Sequence, residues 1–412
     1  MEHYGPSGAT LRQFPPSRDD PRVLSIDEAR AIVLGATRPL PPESVALAEA
    51  LDRVLAVPVS AAVDVPRFVN SAMDGFAVQA GPAERTLRVV GESRAGAPAA
   101  VAVGPGDAVR ISTGAAVPDG ADAVVMVERT REQEGEVRVE AETAPGQNLR
   151  HPGEDMKAGA LIIEAGTRMG PAELGVAANA GLSTVRCVRR PRVVVLATGD
   201  ELVPPGGALG PGQIHDSNAL TLAALARRAG TEVVHAGEVP DTPQATEAAV
   251  RAALTIGDVV LCSGGVSVGP HDHVKPALVA AGVEERFWRV ALRPGKPTWF
   301  GVRHHQLAFG LPGNPVSAMV TFLLFARPAL LALQGADPGT PRERKRLTAA
   351  LPRHAARDEC VRVSLAGDEA TPTGPQASHV LTSMLGADAL ALVPRGEGEL
   401  PAGSEVEVER LP

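Results

Sequence analysis

Aromatic residues are scarce in this 412-residue chain: 3% of positions, with one Tyr and two Trp. Nucleic-acid surfaces that stack bases need several exposed rings, so that class is disfavoured. Surplus positive charge is missing too. Forty Lys and Arg against 48 Asp and Glu leave a formal net charge of −8, which argues against a general polyanion-binding surface but leaves room for local basic clusters. Cysteine is rare. Cys187, Cys262 and Cys360 stand far apart without zinc-ligand spacing, and an odd count of three fits reduced thiols in a cytoplasmic compartment. No run of about 18 unbroken apolar residues occurs, so no membrane-spanning helix is expected. Residues 1–21 lack the apolar core of a signal peptide and read as a disordered, proline-rich tail.

What is abundant is glycine and proline, 43 and 37 residues. They are spread along a chain that is 44% hydrophobic and 21% charged, the composition of a turn-rich globular protein. The length predicts two to four domains. A helix is expected over 22–35, with Ser25 as N-cap, Asp27 and Glu28 in the first turn, and an apolar stripe of Ile26, Ala29, Ile32 and Val33. Between 64 and 147 short β-rich runs alternate with turn signals every 8–12 residues, the texture of a small antiparallel domain. A strand at 192–198 does not alternate and reads as buried on both faces. Helix 218–229, strand 232–235, helix 243–254, strand 258–262, helix 272–281, strand 307–310 and helix 316–333 follow it. Strand–helix alternation of this kind gives right-handed crossovers and a parallel sheet covered on both faces. The last segment returns to short strands, consistent with a small barrel or sandwich.

The motif SGGVSVG, from Ser263, Gly264 and Gly265 to Ser267 and Gly269, follows a strand and precedes a helix. Its glycines allow close backbone approach to an anion, and ligands of such sheets bind beyond the carboxyl ends of the strands. It matches neither the P-loop nor the dinucleotide pattern; the plainer alternative is a tight turn. TGDEL at 198–202 brings Asp200 and Glu201 to the same edge, as do Asp241 and Asp272. Carboxylates beside an anion cradle repel unless a cation intervenes, and oxygen-rich clusters beside phosphate suit Mg²⁺. Against this, Asp241 and Asp272 could simply cap helices. Arg289, Arg293 and Lys296 in RVALRPGKP offer fixed cations for an oxyanion, or a solvated basic edge. In PGNP, Pro312 and Gly313 precede Asn314 and Pro315, which fit an N-cap and first helical residue. NSAMDGFAV at 70–78, RISTG at 110–114 and NLRHPGED at 148–155 identify no chemistry singly.

Together the motifs NSAMDGFAV, RISTGAAVPDGADAVVMVE, GQNLRHPGEDMKAG, ATGDELV, GQIHDSN, SGGVSVGPHD, RPGKP and LPGNPVSA resemble, in order, the molybdopterin molybdenumtransferase family, the MoeA-like proteins that include the gephyrin E domain. The resemblance covers 22–412. It implies a multidomain α/β fold: an elongated connecting domain from 22–45 and 148–183, a β-rich domain at 46–147, a doubly wound, mostly parallel molybdopterin-binding domain at 184–335, and a C-terminal β-barrel at 336–412. It implies Mg²⁺-dependent cleavage of adenylylated molybdopterin with molybdate, giving molybdenum cofactor and AMP. It also implies a homodimer whose site is shared between subunits. Molybdopterin adenylyltransferase and molybdoenzyme acceptors are the expected transient partners; no nucleic acid or membrane is.

Carried over residue by residue, the family's functional positions fall on Asp74, Thr113, Asp155, Glu201, Asp241, Asp272, Arg289, Arg293, Arg362 and Ser378. The resemblance assigns Mg²⁺ to Glu201, Asp241 and Asp272, and molybdate to Arg289, Arg293, Arg362 and Ser378. Asp74 and Thr113 would close the site from the other subunit. This chain departs from many relatives in carrying Arg for Lys at 289 and 293, a planar fork in place of a compact ammonium, and Phe76 for Tyr. Two alternatives share the fold: the adenylyltransferase that makes the substrate, and a non-catalytic scaffold. The SAMDG and ISTGA motifs count against the first, and the intact acidic set against the second.

Overall fold

The computed structural model describes residues 23–266 and 272–412. The expected tail at 1–21, and Ser267 and Gly269 of the glycine-rich motif, lie outside the described residues. The chain forms two compact units, one spanning Pro41–Arg189, the other combining the stretch up to Leu40 with Arg190–Pro412.

The larger unit is organised by a six-stranded sheet in the order Glu232–Val239, Arg192–Thr198, Val259–Ser263, Gln306–Leu311, Trp299–Arg303, Glu284–Trp288. The first four are parallel. The last two run antiparallel and were not expected from the sequence. Their short aromatic runs carry no strand–helix alternation to mark them. Val194, Leu196, Val260, Cys262 and Ala308 form one sheet face, packed against helices Pro243–Ile256 and Val274–Ala280. Val193, Val195 and Leu261 alternate to the opposite face and are fully buried. Helix Asn218–Arg228 contacts both Pro315–Thr321 and Arg327–Leu333.

The stretch Pro315–Leu333 is long and apolar enough to cross a membrane, yet 83% of its apolar window is buried within the fold, as in a core helix. Its middle, Phe322–Ala326, winds as a π-helix just before Pro328. Proline has no N–H to give the preceding turn. The Leu324 carbonyl instead accepts from Arg30 Nε at 3.1 Å. Arg30 belongs to helix Ile26–Gly35, whose Ser25 is the expected N-cap and forms a capping box with Glu28. Its guanidinium also grips Glu409 through two 2.9 Å bonds. This helix therefore packs with 315–333 and the C-terminal strands, not with 148–183 as the sequence reading had it.

The C-terminal strands close into a barrel. Arg342–Leu347 pairs with Glu405–Arg410, which pairs with Ala389–Val393, then Asp358–Ala366, then Glu369–Pro372, which returns to Arg342–Leu347. Strand Leu292–Arg293 adds to Asp358–Ala366 from outside.

In the smaller unit, strands Ala123–Met126, Gly75–Val78, Asp107–Ile111, Arg85–Ser93, Glu136–Val139 and Thr130–Gln133 lie side by side in that order. All pairs are antiparallel except Arg85–Ser93 with Asp107–Ile111. Glu134 and Gly135 both hold positive φ, the turn that suits the twist of the closing hairpin. A second core joins Val45, Leu55 and Val59 to Ile163, Met169, Ala177 and Val185. Residues 46–60, expected in the β-rich domain, thus pack with 161–188 instead. Pro42–Ala46 pairs with Thr184–Val188, and Val59–Ser60 with Leu161–Ile163.

Candidate functional site

Parallel strands in register end together, so the loops after them converge. Ala197 lies opposite Ser263, and Ser263 opposite Leu311. This brings TGDEL, SGGV and PGNP to one edge. Gly264 and Gly265 take φ values of +91° and +62°, a region side chains avoid. A Cβ on Gly264 would stand 2.6 Å from the Thr198 carbonyl oxygen, and one on Gly265 would meet Val274 Cγ2 at 2.9 Å. Glycine is therefore needed at 264 and 265.

Asn218 ties the loops together. Its Nδ2 donates to Ser263 Oγ at 2.8 Å and to the Gly313 carbonyl at 2.7 Å. Asp216 sits behind it, 3% exposed, and accepts from the Asn218 and Ala219 amides at 2.8 and 3.1 Å. Burial pushes the Asp216 carboxyl above its ordinary range, the two amides work against this, and Glu238 adds to it. Neither residue was singled out from the sequence, although GQIHDSN contains both. The sequence signal for them is an Asp-Ser-Asn run at the start of a helix.

The acidic residues gather loosely. Asp200 Oδ1 accepts from the Asp241 amide at 3.0 Å, linking two strand ends. The Glu201 carboxylate lies against Gly199, where a Cβ would come within 2.6 Å of it. Asp241 is not a helix cap, because Thr242 takes that place and accepts from the Ala245 amide. Asp272 lies one residue before His273, the cap position of helix Val274–Ala280. Among the described residues, no group of three or more His, Cys, Asp or Glu is arranged to hold a metal. Mg²⁺ is usually held by one or two carboxylates together with substrate phosphates and water. Hard oxygen donors from Glu201 and Asp241 beside a glycine turn fit that manner of binding.

The cationic and C-terminal residues divide. Arg293 NH1 pairs with Glu359 at 2.9 Å, while Lys296 is exposed. The Arg289 guanidinium lies over the Trp288 ring, 4.1 Å from its centroid. Asn314 occupies the helix cap position without a capping bond; its Nδ2 instead donates to Ser378 Oγ at 2.9 Å. Pro312 is buried and its carbonyl accepts from Ser263 Oγ at 3.3 Å. Arg362 differs from the expected open cation: it is wholly buried, and its guanidinium donates to Ser383 Oγ at 3.1 Å and to the Pro375 and Ala377 carbonyls at 3.4 Å. Burial pulls its pKa down. In this state it braces the loop that carries Ser378. Cys262 is a core thiol, pushed up to about 12 by burial.

The smaller unit gathers a second set. Asp74 Oδ1 accepts from the Thr113 amide at 2.7 Å. Ser71 and Ala115 share a backbone bond of 3.0 Å, and the Gly114 amide donates to Ser71 at 2.8 Å. Leu149 and Arg150 pair with Ser71 and Asn70, and the exposed Asp155 gives its amide to Val65. The three motifs that identified no chemistry singly are thus one connected surface.

Three family models cover most of the chain: the MoeA N-terminal region (domains I and II) over 24–181, a probable molybdopterin binding domain over 194–332, and the MoeA C-terminal region (domain IV) over 344–411. The chain is 37% identical to the molybdopterin molybdenumtransferase of Haemophilus influenzae, covering 94% of this chain and 98% of the relative. It is 34% identical to that of Bacillus subtilis, with 93% of each covered. The chain belongs to the molybdopterin molybdenumtransferase family. Two crystal structures of MoeA proteins of molybdopterin biosynthesis from Pyrococcus horikoshii share the family fold. One has a TM-score of 0.82 at 32% identity, covering 94% of this chain and 99% of that one. The other has a TM-score of 0.79 at 27% identity, covering 95% and 100%. As a family member the chain is a transferase of molybdenum cofactor biosynthesis.

Proposed function

We propose that this enzyme cleaves adenylylated molybdopterin in the presence of molybdate and Mg²⁺, releasing AMP and molybdenum cofactor. The supporting observation is the convergence of the Gly264–Gly265 turn with Glu201 and Asp241 at the carboxyl edge of the parallel strands. The bond to be broken is a phosphoanhydride between AMP and the pterin phosphate. The Gly264 amide donates to the Leu311 carbonyl at 3.1 Å and fixes the turn, leaving the Gly265 amide, free of side-chain bulk, to receive a phosphate oxygen. Asn218 keeps the turn and the Gly313 loop at fixed spacing, so the phosphate is oriented before reaction. Glu201, Asp241 and Asp272 would hold Mg²⁺, which when bound neutralises phosphoryl charge. Arg289, Arg293, Lys296 and Ser378 would gather molybdate through charge-assisted bonds. Arg362 acts behind them, through the Ser378 loop. Asp74, Thr113 and Asp155 would meet the ligand from a second copy of the chain in a homodimer.

Reconstitution tests this. Purified enzyme, adenylylated molybdopterin and Mg²⁺ should release AMP only when molybdate is added, and the product should activate an apo-molybdoenzyme. AMP release independent of molybdate, or adenylylation of free molybdopterin from ATP, would contradict the proposal.

A further inference from the structure

Trp288, the ring beneath Arg289, makes further contacts at the site. It ends the edge strand Glu284–Trp288 and is half-buried opposite Trp299. Its indole Nε1 donates to the Val266 carbonyl at 3.1 Å. Two cations meet its ring: Lys275 Nζ and Arg289 Cζ each lie 4.1 Å from the centroid. Lys275 is itself tied to Glu285 at 3.0 Å, and Glu285 accepts from the indole of the fully buried Trp299 at 2.7 Å. The Trp288 ring is thereby anchored to the core.

Val266 follows the two positive-φ glycines directly. Its side chain fills the space beside Gly310, where a Cβ would meet Val266 Cγ1 at 2.6 Å. With its side chain packed and its carbonyl held by Trp288, Val266 pins the end of the two-glycine turn. On the other side of the same residue, Arg289 holds φ +82°, a costly region for a side-chain-bearing residue. Its amide donates to the Thr298 carbonyl at 3.0 Å and its guanidinium rests on the indole. Cation–ring attraction is strongest for Trp and gains from desolvation.

We propose that Trp288 is a positioning residue that serves both anion-binding parts of the site through different atoms. The N–H sets the Ser263–Val266 turn for phosphate, and the ring sets Arg289 for the oxyanion. This rests on the proposed function, and two substitutions separate its halves. Trp288→Phe removes the N–H but keeps a ring; Trp288→Leu removes both.

The test combines steady-state AMP release with titration of inorganic pyrophosphate and of molybdate, each followed calorimetrically, on the full chain. Trp288→Phe should raise KM for adenylylated molybdopterin and weaken pyrophosphate binding about five-fold, the equivalent of one neutral hydrogen bond. It should leave kcat and half-saturation by molybdate within about two-fold. Trp288→Leu should weaken both phosphate and molybdate binding. Two results overturn the inference: both variants matching the native enzyme in every binding constant, or both losing kcat alone in proportion to a lowered melting temperature. If the native enzyme releases no AMP, the proposed function falls, and the pyrophosphate and molybdate titrations still decide the role of Trp288.

Discussion

Two regions of the molecule, the loop edge of the larger unit and the motif cluster of the smaller one, are assembled by different means. In the larger unit the strands Arg192–Thr198, Val259–Ser263 and Gln306–Leu311 run parallel, so their following loops meet with little help. In the smaller unit three short motifs from distant positions are stitched by individual bonds, such as Asp74 to the Thr113 amide and the Leu149–Ser71 pairing. A topology-built site tolerates local change in its loops. A stitched site depends on each tie and on the sheet beneath it.

The sharpest way to break this contrast is at Gly75. A Cβ there would stand 1.8 Å from the Val125 carbonyl oxygen, inside a strand buried on both sides. Gly75→Ala should destabilise the smaller unit by about 3 kcal/mol or more, as backbone displacement in a packed core does. Thermal unfolding should show an early transition or loss of folded yield; an unchanged melting curve would show that the stitched surface is more tolerant than its contacts imply.

A smaller effect is expected at the topology-built edge. Asn218→Ala removes two hydrogen bonds between loops that their strands already bring together. At about 1 kcal/mol per bond, AMP release should fall about thirty-fold with little change in melting temperature. A fall equal to that of an inactive variant would mean that the strands alone do not place the loops.

The mildest effect is a pH dependence. The Asp216 carboxyl ionises higher in the fold than in the unfolded chain, chiefly through burial. Between the two ranges the folded protein binds more protons, so this residue's contribution to stability declines as pH rises. Asp216→Asn keeps an oxygen to accept from the Asn218 and Ala219 amides and removes the charge. Its melting temperature relative to the native chain should therefore climb as pH rises above about 4, the ordinary aspartate range. A difference that stays constant as pH rises would remove burial of charge as the cause.

Much of the fold was legible because hydrophobic pattern and turn chemistry agree. The strand Arg192–Thr198 holds an apolar run from Val193 to Ala197, and Ser25 is the expected N-cap although its helix begins at Ile26 and not at 22. The strands Trp299–Arg303 and Glu284–Trp288 were not legible, because they join the sheet antiparallel after the regular alternation has ended. The helix Ile26–Gly35 was placed with the wrong neighbours: its tie is the Arg30 guanidinium, which reaches residues 294 and 379 positions away. For the site, glycines and carboxylates at strand ends could be read from position alone. The burial of Arg362 could not, since its strand pattern does not tell a lined cavity from a filled one. Asn218 and Trp288 matter through contacts to carbonyls, which leave no mark on sequence spacing.

A structure of the enzyme with adenylylated molybdopterin bound tests the central claim most directly. The phosphoanhydride oxygens should lie within hydrogen-bond distance of the Gly265 amide, at the strand edge that carries Glu201 and Asp241. A ligand seated away from the carboxyl edge of the parallel strands would contradict the account.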